Sequence, residues 1–311
     1  MSATVDKALQ LWSLSDACYT LVAARENAVY KVTTPSKNYA LRLHRRDYRT
    51  DAELASELQW MNAIRIGGLS VPSPIRSTSG AVMQVIDGVQ VDVLDWLSGE
   101  TLDVVLEQSN PAKRAALFHM LGQNMARFHD ICDAWQQPDG FTRCAWDSEG
   151  LLGDAPLWDR FWENPGLSLE DRALLAVFRQ KARAELTTRT NELDHGLIHA
   201  DFVAVNVMVN ETGLQHFIDF DDGGFGYRMF ELATALLKHI GAPDFTDLKQ
   251  ALINGYTQIR PIDLGTFDLF MALRATTYVG WNITRRGEDG GTTRNTRFIK
   301  TATKLAANYI G

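Results

Sequence analysis

The stretch LIHADFVAVNVMVNETGLQHFIDFDD (residues 197–222) constrains this chain more than any other. It interleaves β-branched and aromatic runs with His199, Asp201, Asn206 and Asp219. Apolar runs of this kind want burial, and a carboxylate buried among them needs a partner. NETG (210–213) is a turn signal between two short apolar segments, 207–210 and 214–219, which predicts a hairpin. Such a hairpin returns Asp219 close to Asn206, with Asp201 one loop back.

An Asn oxygen and an Asp carboxylate converging at one point are hard oxygen donors. They suit Mg²⁺, which takes few protein ligands where phosphate oxygens supply others. Asp201 is then placed to hold an acceptor hydroxyl in line with a phosphoryl group. A metal, a charge clamp and a positioned nucleophile are the parts that phosphoryl transfer requires. The spacing D-x-x-x-x-N alone is ordinary turn composition. His199 two residues before it, and IDF at hairpin distance after it, make the pattern specific.

The rest of the chain is read around this stretch. Its 311 residues and 45% hydrophobic content allow one large domain or two lobes. The formal net charge of -7 argues against nucleic acid or an anionic membrane as partner. No apolar run reaches bilayer length, and the N-terminus MSATVDKALQ lacks a signal-peptide core. Cys18, Cys132 and Cys144 form no C-x-x-C pair, so a reduced, cytoplasmic protein without structural zinc is expected.

Residues 18–24, 28–34, 38–44, 81–86 and 89–97 read as strands with antiparallel neighbours. One helix is inserted among them: Thr50 and Glu53 form a capping-box signature, and Gly67-Gly68 stops it. Beyond SGE (98–100) the pattern turns helical, with starts at Pro111 and after Ser168 and an apolar stripe over 228–240. The expected fold is α+β and bilobal. A small antiparallel five-stranded lobe with one helix spans residues 1–97. A larger, mainly helical lobe spans 98–311.

HADFVAVN followed by IDFDD resembles the aminoglycoside phosphotransferase and choline kinase superfamily, which has a protein-kinase-like fold. IDFDDGGFGYRMFELATALL looks nearest to the branch with hydroxylysine kinase, homoserine kinase type II and bacterial stress-response kinases. The resemblance covers nearly the whole chain, with its strong motifs in 199–231. It implies that Asp201 is the catalytic aspartate and that Asn206 and Asp219 hold magnesium. His199 packs under the loop, and Glu231 bonds its backbone. In YALRLH the resemblance makes Arg42 the basic residue that contacts the nucleotide phosphates. Its helix partner is Glu57, with Glu53 as the substitute. Adenine is expected against the backbone of 92–97, which includes Asp95 and Leu97.

Two departures stand out. The loop AARENAVY has no glycine, leaving the amides of REN (25–27) or the side chains of Arg25 and Asn27 as its means of contacting the nucleotide. DFD replaces DFG, so Asp221 and Asp222 extend the metal site, touch the acceptor or shape an Asx turn. Asp222, Tyr278, Trp281, Arg285 and Arg286 form the candidate acceptor pocket: aromatics for an ammonium, arginines for a carboxylate. The implied reaction moves the γ-phosphoryl group of ATP, with Mg²⁺, to a hydroxyl of a small molecule, an amino-acid-like or amino-alcohol acceptor. The protein is expected as a monomer or homodimer. The rival readings are a non-catalytic nucleotide-binding sensor with a kinase fold, a Ser/Thr protein kinase and a metal-dependent phosphohydrolase. Only about ten residues separate Asp219 from the next helix, which leaves little room for a peptide-binding segment.

Overall fold

A computed structural model describes residues 2–24 and 27–311. The chain divides into two compact units. The first runs to Glu107 and adds Ala134–Arg143 and Val205–Asp221; the second holds Gln108–Asp133, Cys144–Ala204 and Asp222–Gly311. The division thus takes the first unit past residue 97 and adds the hairpin that carries Asn206 and Asp219 to it.

In the first unit, helix α1 (Ser2–Leu11) precedes strands β1 (Cys18–Ala24), β2 (Ala28–Thr33) and β3 (Asn38–Leu43). Helix α2 (Asp51–Ile66) and strands β4 (Met83–Ile86) and β5 (Val89–Asp95) follow. The sheet is antiparallel throughout, in the order β1-β2-β3-β5-β4. The α+β class with its five-stranded antiparallel sheet is as expected. Helix α1 is an addition. Val5, Ala8, Leu9 and Trp12 recur at helical spacing, and all four are buried against Val32, Leu41, Val91 and Val93 of the sheet.

Helix α2 starts as the sequence predicts. The Thr50 hydroxyl accepts from the Glu53 N–H at 3.2 Å, and the Glu53 carboxylate accepts from the Thr50 N–H at 2.8 Å. This cap sets the rotation of the helix and puts Glu57 on its buried face. Trp60, one turn on, is fully buried and meets Phe220 edge to face at 5.4 Å between ring centroids. Strand Val207–Val209 pairs antiparallel with Gln215–Phe217. Asn210 closes the turn through its side-chain oxygen, which accepts from the N–H groups of Thr212 and Leu214. Gly213 supplies the positive φ of +83° that this turn needs. Gly99 serves close approach: a Cβ there would stand 2.6 Å from the Val209 carbonyl oxygen.

The second unit is mainly helical. Its elements include Pro111–Ala134, Leu169–Thr188, Arg228–Leu237, Phe245–Thr257, Phe267–Trp281 and Gly291–Ile310. A small sheet of Ala145–Trp146, Gly224–Tyr227 and His195–Ile198 leads the chain into residues 199–204. Helices Phe267–Trp281 and Arg228–Leu237 are buried on nearly every side, so any charge they carry must find its partner inside the unit.

Candidate active site

The first unit contains a buried charge cluster. Arg42 on β3 lies opposite Asp92 on β5. Its Nε and Nη2 each donate to the Asp92 carboxylate at 2.8 Å, and its Nη1 donates to Glu57 at 2.8 Å. The Arg42–Glu57 pair drawn from the sequence is therefore present. Asp92 and His44 (Nε2 to Asp92 Oδ2, 2.7 Å) join it without having been anticipated. Arg143 also donates to Glu57, at 3.3 Å. Burial opposes the charge of both carboxylates, but the surrounding cations outweigh it. Arg42 and Arg143 hold Glu57 below its ordinary range, and Arg42 and His44 hold Asp92 far below its own.

The hairpin carries Asn206 and Asp219. The Ile218 N–H donates to the Asn206 carbonyl at 3.0 Å, which aligns Asn206 with the residue before Asp219. Asp219 has φ +67°, a left-handed conformation that costs a non-glycine residue about 1–2 kcal/mol and marks sites where the backbone aims a side chain. No group of three or more His, Cys, Asp and Glu side chains suited to a metal occurs among the described residues. An amide oxygen and one carboxylate fit a Mg²⁺ whose other ligands are phosphate oxygens and water. Asp221, two residues on, is only 5% exposed, and among the described residues its Oδ1 has no hydrogen-bond partner, Arg49 Nε lying 3.8 Å away. Burial and the nearby Glu57 raise its carboxyl above the ordinary value.

In the second unit, Asp201 is presented by a strained turn. Ala200 has φ +63°. Its N–H donates to Glu231 Oε1 at 2.6 Å, and the other Glu231 oxygen meets His129 Nε2 at 2.8 Å. His129 Nδ1 lies 2.7 Å from the Tyr256 hydroxyl. Glu231 thus bonds the loop backbone, as the sequence reading expected. Burial pushes its carboxyl up to about 8 and pushes the His129 imidazole well down. His199 is fully buried and stacks on Phe202, ring centroids 4.4 Å apart, beneath Asp201.

Arg274, a residue the sequence reading passed over, donates from Nη2 to Asp201 Oδ1 at 2.7 Å and to the Tyr278 hydroxyl at 3.0 Å. It is fully buried, its guanidinium carbon 4.7 Å from the Trp158 ring centroid and 4.5 Å from that of Tyr278. The signal was legible: Arg274 is the lone cation in the apolar run FDLFMALRATTYVGW (267–281), and a charge there must be paired.

The remaining candidates fall as follows. Asn27 Oδ1 accepts from the Arg45 N–H at 3.3 Å, while Arg25 lies outside the described residues. Asp95 ends β5 and pairs with Lys37 at 2.5 Å; Leu97 follows, half-buried. The Asp222 carbonyl accepts from Trp146 Nε1 at 2.8 Å, and the charges of Asp201 and Asp222 both act on Tyr278. Trp281 lies between Arg285 and Arg294, 4.3 and 5.3 Å from its ring centroid. Arg285 donates to the Trp281 carbonyl at 3.1 Å, and the Nε of Arg286 is buried without a hydrogen bond.

The protein-kinase-like class that these elements define is matched by solved structures. The microcompartment-associated aminopropanol kinase superposes with a TM-score of 0.88 at 26% identity, covering 100% of this chain and 98% of that one. An amicoumacin kinase in complex with AMP-PNP, Ca²⁺ and Ami gives 0.76 at 20% identity, covering 97% and 93%. The homoserine kinase of Parvibaculum lavamentivorans is 26% identical over 248 residues, 76% of this chain and 70% of its own length. Residues 19–269 match the "Phosphotransferase enzyme family" (APH). The chain belongs to that family and is an enzyme, a small-molecule kinase. Among the described residues, no helix is long and apolar enough to cross a membrane.

Proposed function

We propose that this protein transfers the γ-phosphoryl group of ATP to the hydroxyl of a small amino alcohol or amino-acid-like acceptor. The observation that carries the proposal is Asp201, set on a strained turn that Glu231 braces and gripped at one oxygen by Arg274. A carboxylate fixed in this way holds an acceptor hydroxyl in one orientation, which is the main source of rate in phosphoryl transfer. In the reaction the acceptor oxygen bonds to the γ-phosphorus, and the bond to the bridging oxygen breaks. ADP departs with the electron pair, and the hydroxyl proton passes to the Asp201 carboxylate and on to water.

Asn206 and Asp219 would hold Mg²⁺, which when bound neutralises charge on the phosphates. Arg42, oriented by Glu57 and Asp92, still has N–H groups to offer a phosphate, since its bonds to these two carboxylates use three of its five. Asn27 and the backbone around Asp95 and Leu97 are assigned to the nucleotide. Asp222, Tyr278, Trp281 and Arg285 are assigned to the acceptor. An ammonium suits the aromatic walls and the Asp222 charge. The two 26% identical relatives act, by their names, on aminopropanol and homoserine, both alcohols that carry an amine. The enzyme is taken to act in the cytoplasm, as a monomer or homodimer.

The test is a screen of amino acids, amino alcohols and sugars for ADP release by purified protein, with Mg-ATP and then Mg-GTP. Turnover with an amine-bearing alcohol supports the reading. Nucleotide binding without turnover over the whole panel points to a sensor, and phosphorylation of Ser or Thr in proteins points to a protein kinase.

A further inference from the structure

Arg143 lies in the short segment Ala134–Arg143 that packs with the first unit, and nothing in the reaction above requires it. Its side chain is nevertheless almost wholly buried. Nη1 donates to the Glu53 carbonyl at 3.1 Å and to Glu57 Oε2 at 3.3 Å. Nη2 donates to the Phe220 carbonyl at 2.8 Å and to the Asp221 carbonyl at 2.7 Å. Arg49 reaches the same Asp221 carbonyl at 2.9 Å. One guanidinium therefore joins helix α2 to the two residues that follow Asp219.

The bonds form a continuous chain. Arg42 holds one oxygen of Glu57, Arg143 holds the other, and Arg143 then fixes the backbone of residues 220–221. The planar fork of arginine suits this task, because it presents parallel donors at fixed separation. Burying a cation costs several kcal/mol, and here the Glu57 carboxylate and the carbonyls of Glu53, Phe220 and Asp221 offset that cost. The Asp219 conformation is strained, so the turn relaxes unless its neighbours are held.

We propose that Arg143 is a positioning residue that couples the Arg42–Glu57 phosphate clamp to the metal-bearing turn at Asp219. Displacement of Glu57 is transmitted through Arg143 to the Phe220 and Asp221 carbonyls, and the Asp219 carboxylate loses its aim. The inference rests on the reading of Asn206 and Asp219 as metal ligands.

The test measures Mn²⁺ binding to the protein–nucleotide complex by electron paramagnetic resonance, beside steady-state kinetics, for wild type, Arg143→Lys, Arg143→Met, Glu57→Gln and the Arg143→Met/Glu57→Gln double variant. Loss of a group that orients a metal ligand typically costs about 10- to 100-fold in metal affinity. That loss is expected for Arg143→Met, with a smaller one for Arg143→Lys and the acceptor KM unchanged. The double variant is expected to be no worse than the poorer single variant, because either change breaks the same chain of bonds. Should Arg143→Met not fold, the Arg143→Lys titration decides alone. Mn²⁺ affinity within about twofold of wild type in Arg143→Lys and any folded Arg143→Met overturns the inference and leaves the kinase reading intact. A wild-type protein that binds no Mn²⁺–nucleotide overturns both.

Discussion

Arg42 and Arg274 are both buried arginines that hold an aspartate, yet their surroundings are opposite. Arg42 is enclosed by carboxylates: Asp92 takes it from two nitrogens and Glu57 from a third. Arg274 has Asp201 as its ion-pair partner and is otherwise walled by Trp158, Phe230 and Tyr278, with Nε and Nη1 left without a hydrogen-bond partner among the described residues. The Asp92 side chain is fully buried, whereas that of Asp201 keeps 22% exposure. The first arrangement is a charge network that holds the Arg42 guanidinium in one orientation. The second secures one oxygen of a carboxylate that stays partly open to solvent.

The contrast breaks first at Asp201. Asp201→Asn is expected to lower kcat by about 10²–10⁴-fold while Mg-ATP binding, followed by calorimetry, persists. Asp219→Ala is expected instead to abolish metal-dependent nucleotide binding. Identical failure of the two variants at the binding step would erase the division of roles.

The arginines themselves come next. Arg42→Met leaves Asp92 with His44 and Glu57 with Arg143 as their remaining partners, and urea unfolding should show a loss of about 3–5 kcal/mol. Arg274→Met should lose clearly less, because the aromatic walls accept methionine and Asp201 can take up water. Its kcat should fall more than its ATP KM rises. Equal stability losses would show that the two sites are alike after all.

The smallest effect concerns pH. Glu57 and Asp92 have depressed values in the folded state. Their contribution is present above their ordinary range and is lost as pH falls through the folded values. Glu231 is raised to about 8, so its contribution is present in acid and is lost as pH rises through about 8. Glu231→Gln keeps an acceptor for Ala200 and removes the titration. Its unfolding free energy should decline less than that of wild type between about pH 5 and about pH 8.5. Parallel curves for the two proteins would mean that Glu231 is ionised in the fold.

Local signals carried much of this. The capping box of α2, the NETG hairpin and the five strands are written in neighbouring residues, and the structure repeats them to within a few positions. Helix α1 is equally legible in the helical spacing of Val5, Ala8, Leu9 and Trp12, which bury against the sheet. The strut from Glu231 to Ala200 was reached by resemblance, where the physical cause is burial of an acid beside a strained backbone.

By itself the sequence determined that Asp201, Asn206 and Asp219 belong to one strand, loop and hairpin, because 18 positions or fewer separate them and short-range turn chemistry governs that range. What grips them was decided by the tertiary structure. Asp92 stands 50 positions from Arg42, Arg274 stands 73 from Asp201 and Arg143 stands 86 from Glu57. A buried charge announces that it needs a partner, but only packing selects which distant side chain arrives, since desolvation enforces the pairing and specifies nothing about where in the chain the partner lies.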